Sequence, residues 1–232
     1  MKLKHISHLI TGSVMELFGV MADGKVVNSY ELTNKRGAKL KVINYGATVT
    51  SLKIPLKSGE MVDVVLGFDT LENYINSFDL ESAPYLGATV GRYAGRINNA
   101  TFNLNGEIIH LDKNNNGHSL HGGKDNFSKK VWEVKNVNEG CSPSITFGYL
   151  SPANEGNYPG DLSVELTYTL SENNELIIEY NAQTTEDTVL NLTHHSYFNL
   201  DGHDSSVSEQ ELIVNSHKML ETTTENILTG RV

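Results

Sequence analysis

The chain has 232 residues, 38% of them hydrophobic and 20% charged, with ten tyrosines, seven phenylalanines, one cysteine and a formal net charge of −10. That is the composition of a folded globular protein long enough for one sizeable core, and all-β single domains commonly reach this length. An acidic balance without a basic block would repel a phosphate backbone and excludes nucleic acid as a partner. No segment is long and apolar enough to span a bilayer, and the apolar run within residues 1–10 is too broken for a secretory signal, so no membrane partner and a cytoplasmic location are expected. Cys141, between Gly140 and Ser142, has no second cysteine for a disulfide and completes no zinc motif.

Taken in chain order, Asp23-Gly24 separates β-patterned runs at 17–21 and 25–30 and predicts a hairpin. Strands follow at 40–43, 48–54 and 62–66, and the best helical candidate is the short piece 71–75. Asn105-Gly106 predicts a second, tighter hairpin between 101–104 and 107–110, because both central positions of a type I′ turn need positive φ. A strand at 131–134 comes next. Leu162, Val164, Leu166, Tyr168 and Leu170 alternate with polar residues, and the alternation resumes after 171–174 with Leu176, Ile178 and Tyr180. Runs at 189–196 and 212–214 complete the series. No stretch sustains helical spacing over several turns, and no linker, repeat or low-complexity tract divides the chain. The expectation is one all-β domain over 1–232, a sandwich of antiparallel sheets.

Candidate chemistry gathers at histidines. The stretch Leu192-Thr-His-His-Ser-Tyr-Phe-Asn-Leu200 ends a β-patterned run, and a period of two presents His194 to one face and His195 to the other. Imidazole is the side chain that exchanges protons near neutral pH, so either ring is a candidate acid or base. A partly buried histidine bonded to backbone is the competing structural reading. His118 and His121 stand in a Gly- and Asn-rich loop where side chains are free to face a cleft. Metal binding by these histidines lacks an acidic or cysteine ligand at a recognisable spacing, so none is expected. The segment Gly87-Ala-Thr-Val-Gly91-Arg-Tyr-Ala-Gly95-Arg96 carries neither phosphate-loop nor dinucleotide spacing, but it leaves the planar forks of Arg92 and Arg96 near a close backbone approach.

In order along the chain stand Asn44-Tyr-Gly-Ala47, Asp63-Val-Val-Leu-Gly-Phe68, Gly91-Arg-Tyr-Ala-Gly-Arg-Ile97, Ser119-Leu-His-Gly-Gly123, Asn157-Tyr-Pro-Gly160 and Thr193-His-His-Ser-Tyr-Phe-Asn-Leu200. This series resembles the aldose 1-epimerases, the galactose mutarotase family. The resemblance implies a large β-sandwich that interconverts the α and β anomers of free aldohexoses such as glucose or galactose, with no cofactor. It implies that His195 is the general acid and that Arg96, His121, Tyr197 and Gly95 line the sugar site.

The sequence departs from the family pattern at several positions. Gly95 and His194 each stand where the family often has Asn, and Gln210 stands where a histidine is expected. After Ile227-Leu-Thr-Gly230 the family continues through further strands that bring a sugar-gripping aspartate and the general-base glutamate, whereas the sequence ends at Val232. The expectation is therefore a sandwich incomplete at its C-terminal side, with open edges, no general base in the chain and little activity by itself. A non-catalytic sugar-binding relative is the alternative function.

Overall fold

The structure, a computed structural model, describes residues 13–232; the stretch 1–10, weighed above as a leader, lies outside them. The strands are β1 Ser13–Val20, β2 Val26–Thr33, β3 Lys39–Ile43, β4 Thr48–Pro55, β5 Met61–Asp63, β6 Thr89–Val90, β7 Arg96–Ile97, β8 Thr101–Leu104, β9 Glu107–His110, β10 Ser119–Leu120, β11 Glu133–Asn138, β12 Ser144–Ser151, β13 Leu162–Leu170, β14 Leu176–Thr184 and β15 Thr193–His194. One short helix, α1 Leu71–Ser77, follows β5, and the Thr70 hydroxyl caps it by accepting the Asn73 amide.

Strands β1 to β5 form one antiparallel sheet in chain order, and β11 to β14 form a second. Both meander, each strand pairing antiparallel with the next in the chain, and β12 and β13 are joined by a longer loop. Asn105 and Gly106 take φ of 53° and 89°, the left-handed pair that the β8–β9 hairpin requires. In β13 burial alternates with period two, so Leu162, Val164, Leu166, Tyr168 and Leu170 all point inward. They meet Leu32, Leu40, Val42 and Val49 of the first sheet in one apolar cluster, with the Tyr30 and Phe147 rings edge to face at 6.2 Å across the gap. The expected all-β sandwich is what forms.

Several predicted strands change. The run 62–66 stops at Asp63, whose carboxylate accepts from Ser51 Oγ and the Leu52 and Val65 amides, so the chain turns where the ladder would continue. The run 189–196 shrinks to Thr193–His194. Its backbone changes partner every few residues, from Arg92 and Ala94 to β6 and then to Gly87 and Ala88, so no continuous ladder builds. The run 212–214 is not a strand: no described strand lies beside it, and Leu212 and Ile213 are 89% and 82% exposed. The strand predicted at 131–134 begins at Glu133, while β12, with Ile145 and Phe147 inward, is absent from the predicted series.

Arg92 is buried and acts as an internal clamp. Its guanidinium donates to Ser151 Oγ and to the carbonyls of Ser151, Pro152, Pro159 and Gly160 at 2.8–2.9 Å. Its own carbonyl accepts the Asn191 amide, so one residue ties the loop after β12 to the segment that leads into β15. Arg92→Leu should leave those buried acceptors unpaired and cost about 3 kcal/mol or more. A denaturant midpoint equal to that of the parent chain would contradict this.

Candidate active site

Three backbone pairings bring the site together. β7 pairs with β10, setting Arg96 opposite Leu120, and His121 follows directly, its amide donating to the Gly95 carbonyl. β15 pairs with β6, setting His194 opposite Thr89, and His195 then exchanges backbone bonds with the turn before β6: its amide donates to Ala88 and its carbonyl accepts from Gly87. Strand alternation does the rest, turning His194 inward and His195 toward a cleft.

That cleft has a volume of about 600 Å³, and Arg96, Asn115, His121, His195 and Tyr197 line it together with Tyr85 and Phe78. The rings form a continuous wall. The His121 and His195 centroids are 5.3 Å apart at an interplanar angle of 85°, Tyr85 lies 5.0 Å from His121 and 5.8 Å from His195, and Tyr197 lies 5.4 Å from His195. Such a wall offers flat apolar faces with polar tips, which suits a polyol carrying C–H faces and hydroxyls.

Hydrogen bonds settle which proton each histidine can offer. The Gly95 amide donates to His121 Nδ1 at 3.1 Å, so that nitrogen is unprotonated and the ring carries its proton on Nε2. Burial, helped by the nearby His195 and the Arg96 cation, lowers the His121 pKa to about 4. His121 is therefore a neutral donor rather than a base. On the inward face, Tyr168 Oη donates to the Ala47 carbonyl at 2.7 Å, which leaves its oxygen to accept from His194 Nδ1 at 3.3 Å and leaves His194 Nε2 to accept from Ser196 Oγ. Burial again lowers the His194 pKa to about 4. His195 has a lowered pKa too, chiefly from desolvation, so its protonated form is a stronger acid than free imidazole.

Arg96 donates from Nε to Asn115 Oδ1 at 2.9 Å, and among the described residues no protein acceptor meets its terminal nitrogens, which remain available to a ligand. Gly95 borders an adjoining groove with His194, His195 and Tyr197 and acts through its amide; at its φ of 82° a Cβ would meet nothing within 4 Å. Of the residues singled out in the sequence, His121, His195, Arg96, Tyr197 and Gly95 thus converge. His118 does not: it is buried, with Nδ1 accepting from the Asn99 amide and Nε2 3.6 Å from Glu225. Arg92 is the structural arginine of its pair. Sequence reasoning missed Tyr85 and Phe78, although Pro84 and Gly87 flank Tyr85 and mark a turn.

The aldose 1-epimerase family model matches residues 28–232. The chain belongs to the aldose 1-epimerase family. It is 38% identical over 218 residues to the galactose mutarotase of Homo sapiens, an alignment covering 93% of this chain and 60% of that one. It is 36% identical over 211 residues to the aldose 1-epimerase of Haemophilus influenzae, covering 88% and 58%. Among solved structures, a GalM/aldose epimerase homologue from C. elegans superposes with a TM-score of 0.77 at 36% identity, covering 86% of this chain and 59% of that one. A galactose 1-epimerase from Lactobacillus acidophilus superposes at 0.70 and 27% identity, covering 82% and 53%. The chain spans up to 60% of the length of these aldose 1-epimerase relatives. No helix of the described residues is long and apolar enough to cross a membrane.

The lowered histidines tie stability to pH. His121 and His194 titrate near 4 when folded and near 6.5 when unfolded, so between those values the unfolded chain binds protons that the folded chain does not. Their contribution is complete above pH 6.5 and is lost as pH falls toward 4. His194→Asn should flatten the fall of unfolding free energy between pH 6.5 and 4; an unchanged slope would contradict the inward, neutral placement of His194.

Proposed function

We propose that this chain carries the acid and sugar-holding side of an aldose 1-epimerase site acting on free aldohexoses. The observation that supports it is the face-to-edge pair of His121 and His195 on one cleft with Arg96. Mutarotation needs a base to take the proton of the C1 hydroxyl and an acid to give one to the ring oxygen. The ring then opens, the C1–C2 bond rotates and the sugar recloses. His195 is the proposed donor to the ring oxygen. His121, with its Nε2 proton, and Arg96, with its free terminal nitrogens, hold hydroxyls and stabilise negative charge as it develops. Tyr197, 45% exposed at the rim, supplies a face for the sugar's C–H edge. The reaction requires no redox group, because the bond from C1 to the ring oxygen breaks and re-forms with proton transfers and no net change of oxidation state.

The base is assigned to none of the described residues. Among the described residues Glu81 is the one carboxylate lining the cleft, on the wall formed by residues 78–83. It does not stand in the context of the glutamate that the family resemblance leads one to expect. A site with its donor but without its base should fall about 10²- to 10⁴-fold short of the complete pair. The setting in which the proposal is made is a cytoplasmic protein that meets a small sugar rather than a nucleic acid, in keeping with the net charge of −10.

Polarimetry of freshly dissolved α-glucose or α-galactose tests this. The chain should be slow yet faster than buffer, His195→Ala should return the rate to the buffer value, and acetate, supplied as an outside base, should raise the rate of the parent chain more than that of His195→Ala. Equal rates for parent, variant and buffer, with or without acetate, would contradict the assignment.

A further inference from the structure

We propose that Tyr85 is the positioning residue of this site, a wedge whose ring sets the spacing and facing of the His121 and His195 imidazoles. The inference rests on the reading of His195 as the donor, but the geometry behind it is independent of that reading. Among the described residues Tyr85 is the one ring in contact with both histidines, edge to face with His121 at 69° and tilted against His195 at 42°. Phe78 backs it on a further side, 5.3 Å away.

The backbone beneath Tyr85 is held under constraint. Its φ is +52°, a left-handed conformation that a bulky residue adopts only when its surroundings enforce it, and such residues gather at functional sites. The enforcement is visible. The Ala88 amide donates to the Tyr85 carbonyl at 3.0 Å and closes a turn over 85–88; Gly87 and Ala88 of that turn exchange two bonds with the backbone of His195, and the Gly87 carbonyl accepts the Val49 amide at 2.9 Å. A Cβ at Gly87 would collide with the Val49 carbonyl, so the turn lies flush on β4 and cannot slide.

The far end of the side chain meets the loop that carries His121. Asn126 Nδ2 reaches Tyr85 Oη at 3.5 Å, and Asn126 is itself anchored by donating to the Gly123 carbonyl at 3.0 Å and accepting the Ser128 amide at 3.1 Å. Gly123 follows His121 by two residues. The turn that starts at Tyr85 is therefore bonded to the backbone of His195, while the ring packs against His121, with its hydroxyl only at the outer limit of hydrogen-bond distance from Asn126. The ring in between acts as the spacer.

Tyr85→Gly, Tyr85→Leu and Tyr85→Phe test this in the chain as it stands. Glycine accepts the left-handed backbone without strain, so the Gly variant removes the wedge while favouring the turn. The measurements are the nuclear Overhauser contact between the His121 and His195 ring protons, the ring-current shifts of those protons, and thermal unfolding. The Gly and Leu variants should unfold cooperatively, lose the contact between the two imidazoles and displace their ring-proton shifts, while Tyr85→Phe should retain both. In the polarimetric assay the Gly and Leu variants should lose about 10- to 100-fold of the rate above buffer, with the sugar concentration for half-saturation little changed.

Three outcomes overturn the proposal. They are an intact inter-histidine contact in the Gly and Leu variants, its loss in Tyr85→Phe as well, and loss of cooperative unfolding in both Gly and Leu variants, which would make Tyr85 a core residue. An inactive parent chain would remove the proposed reaction but leave these spectra, and this proposal, standing.

Discussion

The buried guanidinium of Arg92 is the interaction on which the site depends. Its bonds to Ser151, Pro152, Pro159 and Gly160 pull the loop after β12 over the end of the sandwich, while its carbonyl holds Asn191. A delocalised cation with five donors suits this task, because it satisfies several carbonyls in one plane where a lysine would satisfy fewer. Glu155 of the same loop accepts from Tyr149 Oη and Ser151 Oγ and pairs with Lys130 at 2.8 Å, which closes the loop against the segment that also carries Phe127 and Trp132. The short strand pairs that deliver Arg96, His121 and His195 are two residues long and could not hold a geometry alone. They hold because rigid neighbours clamp them on both sides.

Adjacent histidines on that scaffold do different work. His194 is half-buried and turned inward, where it links Ser196 to Tyr168 and through it to Ala47. His195 belongs to the cleft, where its ring meets those of Tyr85, His121 and Tyr197. His121 is fixed by a backbone amide as a neutral donor. In the proposed reaction His195 supplies a transferable proton and His121 a fixed donor, the acid side of a concerted acid–base step.

Much of this was legible in the sequence because it follows from period and turn chemistry. The alternation of Leu162 through Leu170, the Asn105-Gly106 turn and the opposite facing of His194 and His195 are consequences of a two-residue repeat, and each forms. The residues proposed for the site stood out only through the ordered motifs, since a lone histidine is more often structural, as His118 is. What escaped has physical causes. β15 could not be bounded because its partners change along its length. Tyr85 was marked only by the turn residues Pro84 and Gly87 beside it, because its ring contacts join segments far apart in sequence and its left-handed φ is enforced by three-dimensional closure. Arg92 and Arg96, four residues apart, look alike as text. They differ because one faces carbonyls and the other faces open space.

The central claim is that His195 addresses the ring oxygen of a sugar that His121 and Arg96 hold. A crystal structure of the chain with galactose bound tests it most directly. The account places the sugar in the cleft with the His195 imidazole within hydrogen-bond distance of the ring oxygen and with hydroxyls on His121 Nε2 and the terminal nitrogens of Arg96. A sugar seated elsewhere, or one whose ring oxygen turns away from His195, would contradict it.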